Sequence, residues 1–206
     1  MSFISKVFGI LAKPAKWIFI GGAFAYALWF AIMTGMSIDG QPMNVLTNII
    51  TLFVGTALIC LPPVFALIGK NDLAKLFFVF LLGYWVLTAP REYFFLAEGL
   101  ADAREFYPVF VSIFFFFIGL AIVGLLILVI LSMIIKLKIL HVIANFMGIA
   151  VVAVCFLTAI LFIIEAAIMG AVWTYYIQYG VMDLMVLPVT IGCGCLYFFD
   201  LQRENK

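Results

Sequence analysis

The chain is 206 residues long, 68% hydrophobic and only 10% charged, with a net charge of +1 and a mean hydropathy of +1.32. A soluble domain carries roughly 25% charged residues, so this chain has too little polar surface to wet a globule, and lipid must be its solvent. Its near-zero net charge excludes bulk attraction to nucleic acid.

Residues 1–16 read as a separate element. Phe3, Ile4, Val7, Phe8, Ile10 and Leu11 fill one side of a helix, with Lys6, Lys13 and Lys16 off it or beyond it. That pattern suits an amphipathic helix lying in the inner headgroup layer, with Pro14 turning the chain into the first span. A secretory signal is the rival reading, but the apolar run continues to Met36 with no polar cleavage region.

A membrane span needs about 20 apolar residues. Six stretches meet or approach that length: 17–36, 45–68, 73–89, 108–135, 139–165 and 182–199. The expected fold is therefore all-α, a single six-span transmembrane bundle over 17–206 preceded by the interfacial helix. The gap 90–107 is the longest loop. Read as a helix, it puts Glu98, Asp102 and Glu105 on one face, an outward-facing interfacial element.

Charge sign sorts the gaps. Nine of the eleven basic residues fall at the N-terminus, at Lys70/Lys75, at Lys136/Lys138 and in the tail. Seven of the ten acids fall in the other gaps: Asp39, Glu92, Glu98, Asp102, Glu105, Glu165 and Asp183. Cytoplasmic loops collect Lys and Arg, so both termini are expected in the cytoplasm, with the bacterial cytoplasmic (inner) membrane as the expected location. Trp85, Trp173, Tyr175, Tyr176 and Tyr179 fall near the outer span ends, where aromatic belts form.

The residues able to carry chemistry are few. Glu98, Asp102, Glu105, Glu165 and Asp183 form an expected outer polar cluster, able to hold a cation or dock a basic partner; the plainer reading is a solvated face. Asn48 and Asn145 are the amides within spans, suited to hydrogen bonds across a helix pair or to a polar substrate. No charge is expected at mid-depth unless Glu165 or Asp183 lies deeper than its place at a span end implies, and this counts against ion coupling. Pro62-Pro63 and Pro188 kink or end their helices, or free carbonyls towards a cavity.

Cys60, Cys193 and Cys195 sit at similar depth, but a C-x-C pair on a helix points its thiols apart, so small buried cysteines are the plainer reading. His141 is the single histidine, and no H-E-x-x-H pattern or catalytic set is present. No metal, cofactor or catalytic residue is expected.

Ala23, Ala27 and Ala31 recur every fourth residue in the first span, a face that lets another helix approach closely, within the chain or from a partner. Overall size, six spans and this alanine row resemble the substrate-capture components of energy-coupling-factor vitamin transporters; the lysine-rich N-terminus and the phenylalanine-rich fourth span are not part of that pattern. The resemblance implies that the alanine face meets a transmembrane coupling subunit and that a ligand pocket opens outward.

Three readings follow. The first is a non-enzymatic integral membrane subunit of a larger membrane assembly, with lipid and other membrane subunits as partners. The second is a small solute transporter or the capture subunit of one, with a small-molecule ligand. The third is a lipid-modifying membrane enzyme using the outer carboxylates.

Overall fold

The computed structural model describes residues 3–36, 42–84, 86, 117, 120–121, 123–132, 134–135, 137–168, 170, 173 and 176–199, without the side chains of 3–6, 42–44, 138, 165, 178 and 179. The elements among them are helical: α1 (Phe3–Met36), α2 (Pro42–Leu67), α3 (residues 71–84), α4 (Val123–Ser132), α5 (Lys138–Ile168), α6 (Tyr176–Val186) and α7 (Leu187–Phe198). The expected loop helix at 90–107, with Glu98, Asp102 and Glu105, lies outside the described residues.

Among the described residues, four helical stretches are long and apolar enough to cross a membrane: Val7–Met36, Val45–Leu67, Ile139–Ile168 and Gly180–Phe198. They fit a multi-pass integral membrane protein. Where six spans were expected, the third is represented by α3, with 85 and 87–89 outside the described residues, and the fourth by the short α4, nearly half of 108–135 lying outside them.

The expected turn at Pro14 does not occur, because α1 runs through it without ending. Proline in a helix interior removes one backbone hydrogen bond and strains one turn. Here the turns on either side still find core: Phe8, Ala12, Ala15 and Phe19 are buried on one face, and Phe8 meets Phe146 of α5 edge-on at 5.2 Å. The apolar side read as lipid-facing is thus partly covered by the chain itself. Likewise α2 continues through Pro62 and Pro63, both buried, to Leu67.

The α2–α3 turn is built by Gly69, whose φ of 79° is left-handed and suits a residue with no Cβ. The Lys70 N–H donates back to the Phe65 carbonyl at 2.9 Å, the six-to-one bond that closes a helix at glycine. Phe65 and Phe77 then stack across the hairpin at 5.3 Å.

Packing sets the rest antiparallel. Along α1 and α7, Lys16 lies by Tyr197, Phe19 by Phe198, Gly22 by Thr190 and Tyr26 by Asp183. Along α5, Gly148 faces Gly192, and Phe162 and Ile163 face Gly180. A Cβ on Gly192 would stand 2.7 Å from the Gly148 carbonyl oxygen, so the two backbones touch where neither residue has a side chain. Phe19, Phe78 and Phe198 fill the core where α1, α3 and α7 converge.

One end of the bundle gathers the start of α1, the α2–α3 turn, the start of α5 and the end of α7. The contacts that place it are Phe8–Phe146, Asn71–Tyr197 and His141–Phe199. Lys13, Lys16, Lys70 and Lys75 all belong to this basic end. The outward surface is apolar, with Trp17 65%, Phe53 71% and Ile168 71% exposed, as expected where lipid replaces water.

Candidate polar site within the helix bundle

Tyr26 is the tenth residue of the apolar run 17–36, about 15 Å along the helix from Lys16. Its hydroxyl donates to Oδ1 of Asp183 at 3.1 Å, and both residues are half-buried. That separation is longer than the 2.5–2.7 Å of a short charge-assisted O–H···O⁻ bond.

Asp183 lies on α6, and all eleven residues of α6 are wound as a π-helix. A π-helix bonds i to i+5 rather than i+4, and such windings concentrate at functional sites. Val186 keeps helical dihedrals (φ −64°, ψ −49°) and leads straight into α7, with Pro188 in its first turn. Proline has no N–H. Neither the Leu184 carbonyl four residues back nor the Asp183 carbonyl five back receives the bond another residue at 188 would give. Position 188 therefore offers no donor to favour α-winding over π-winding through this turn.

The neighbouring hydroxyls are committed elsewhere. Thr190 donates to the Val186 carbonyl at 2.7 Å, and Thr158 to the Val154 carbonyl at 2.9 Å.

Of the expected outer cluster, Asp183 is the member whose side chain is described. Asp183 faces Tyr26, in the middle of the apolar run of α1. Since Gly180 already lies against Phe162 and Ile163, α6 carries Asp183 further from the end of α5 that bears Glu165. Asp183, the second residue of its own apolar run, thus meets a tyrosine well inside the run of α1. Glu165 lies on α5 with its side chain outside the described residues, and Glu98, Asp102 and Glu105 lie outside them altogether.

Ala23 and Ala27 are buried among the chain's own helices, while Ala31 is half-buried; this row faces into the bundle, where α1 packs on α7 and α2. Asn48 is half-buried on α2. Asn145 is wholly buried at the basic end, and its Nδ2 donates to the Phe199 carbonyl at 3.0 Å, tying α5 to the end of α7. His141, one turn earlier, packs its ring 5.2 Å from that of Phe199. Cys155 and Cys195 are buried, and Cys60 and Cys193 half-buried. Among the described residues no group of three or more His, Cys, Asp or Glu side chains could hold a metal ion.

Sequence reasoning missed the Tyr26–Asp183 pair because Asp183 is the second residue of its apolar run, next to aromatics that mark an interface. The available signal was Tyr26, a phenol at the centre of an otherwise apolar helix, together with a proline five residues after the acid.

A carboxylic acid and a phenol in hydrogen-bond contact can bind a proton or a small cation, or orient a polar ligand. No protein-family model, curated protein or solved structure matches the chain.

Proposed function

We propose that the protein is a small solute transporter, or the capture subunit of one, in which Asp183 is the ion-responsive group and Tyr26 its internal partner. The observation that carries this reading is the Tyr26–Asp183 hydrogen bond in the middle of the apolar run of α1.

Magnitudes support it. An aspartate at the centre of a transmembrane helix costs about 2.5–3.5 kcal/mol on insertion scales. One hydrogen bond to a charged group returns about 1.5–3 kcal/mol, and between membrane helices the measured average is nearer 0.6 kcal/mol. Uptake of a proton or cation by the carboxylate lowers the cost of keeping it there. A residue kept at that cost marks an ion or substrate path by default. The lysine distribution supports a frame with both termini cytoplasmic and six spans in a bacterial inner membrane.

The test is a melting titration of the purified full chain, varying pH and exchanging sodium for choline, against the Asp183→Asn chain. A pH- or sodium-dependent shift that the amide abolishes supports the reading. Identical responses of the two chains overturn it.

The second reading, a non-enzymatic subunit of a larger assembly, draws on the outward face of α2, where Leu46, Ile50, Phe53 and Val54 are all exposed. Either lipid or another subunit suits such a face. A stable larger species in gentle detergent supports the subunit; a monomer sinks it.

A further inference from the structure

We propose that the basic end holds the headgroup of an anionic phospholipid between Lys13, Lys16 and Lys70. This needs the bundle to sit in a membrane, but not that Asp183 binds an ion.

Two separate elements supply these lysines at the same end of the bundle. Lys13 and Lys16 are three apart on α1 and so share a face. The Lys16 ammonium lies 5.7 Å from the ring of Trp17 and 5.7 Å from that of Tyr197. The Tyr197 hydroxyl in turn donates to Oδ1 of Asn71 at 2.6 Å, which fixes the α2–α3 turn and its exposed Lys70 beside the same tyrosine. Lys13 is exposed as well. Tyr197 therefore ties the helix that bears Lys13 and Lys16 to the turn that bears Lys70. Lys75 is left out of the site, because its ammonium lies 5.1 Å over the Phe199 ring, at the negative end of the α7 dipole.

The surroundings select lipid over a soluble anion. Trp17, 65% exposed, presents an amphipathic ring beside Lys16, as residues at headgroup level do. The neighbouring Ile18 and the turn residues Leu67 and Ile68 are exposed and apolar, so acyl chains have a surface directly beside the ammonium groups. Basic pockets between transmembrane helices bind anionic headgroups in this way. Among the described residues the nearby acid is Asp72, which is exposed and opposes only part of the charge.

The experiment measures melting of the full chain in neutral detergent while phosphatidylglycerol or phosphatidylcholine is added. Phosphatidylglycerol should stabilise at lower concentration than phosphatidylcholine. Each Lys→Gln change at 13, 16 or 70 should raise the half-saturating phosphatidylglycerol concentration about fivefold, whereas Lys→Arg should keep it. Melting in phosphatidylcholine alone reports whether each variant folds, and the three single variants serve if the triple does not. Equal response to the two lipids, a triple variant with unchanged half-saturation, or full protection by inorganic phosphate without lipid would each overturn the proposal.

Discussion

The Tyr26 hydroxyl and the Asp183 carboxylate meet at 3.1 Å across 157 positions of sequence, joining the C-terminal half of the first helix to a π-wound segment near the chain's end. Removing the phenol by Tyr26→Phe leaves a half-buried carboxylate without that donor. The cost should be about 1–3 kcal/mol, read by reversible unfolding in mixed micelles. Asp183→Asn should cost less, since the amide carries no charge to solvate. In the double variant the coupling should be about 0.6 kcal/mol and no more than about 1.7 kcal/mol. Zero coupling would mean that the two groups do not interact in the folded chain.

Pro188→Ala restores a backbone N–H opposite the Leu184 carbonyl, and α-winding through Asp183 becomes competitive with π-winding. Changing the winding rotates Asp183 about the helix axis, away from Tyr26. The expected outcome is that Tyr26→Phe no longer costs stability in the Pro188→Ala background. An unchanged cost in that background would show that proline plays no part in setting the winding.

Glycine contacts should divide sharply. A methyl group on Gly192 meets the Gly148 carbonyl oxygen at 2.7 Å, and one on Gly148 meets the Cys195 Cβ at 2.9 Å. Backbone cannot rotate aside, so Gly192→Ala should cost about 1–3 kcal/mol by the same unfolding assay. Gly21→Ala meets nothing within 4 Å and should gain up to about 1 kcal/mol of helix propensity. Equal effects at the two positions would count against the α5–α7 contact.

Topology is checked by accessibility. Cysteines placed at Lys13 and Lys70, with the native four replaced by serine or alanine, should label from the same side of the membrane, as should a tag at the C-terminus. Lys70 sits beside Tyr197 through Asn71, so these positions share one end of the bundle. Labelling from opposite sides would break both the sign rule applied to the loops and the packing described for that end.

Much of the architecture was legible without coordinates. The apolar runs at 17–36, 45–68, 139–165 and 182–199 lie within or close to the four long apolar stretches, because a run of that length has few other ways to satisfy its backbone in lipid. Proline positions misled at residue 14. Proline is a local rule about one missing donor, and whether a helix ends there depends on whether both flanking turns find a neighbour; Phe8 found Phe146 and Phe19 found Phe78. The alanine row at 23, 27 and 31 was readable as a close-approach face, but spacing cannot say whether the approaching helix belongs to the same chain.

Composition and charge order, acting alone, determined the solvent and the helical class, since both depend on sums over many residues that no single contact can reverse. The tertiary structure alone decided that Asp183 faces Tyr26, that α6 is π-wound ahead of Pro188, and that Tyr197 joins Lys16 of α1 to Asn71 of the α2–α3 turn. Each of those depends on which residue of a distant helix arrives opposite, and hydropathy is silent about that.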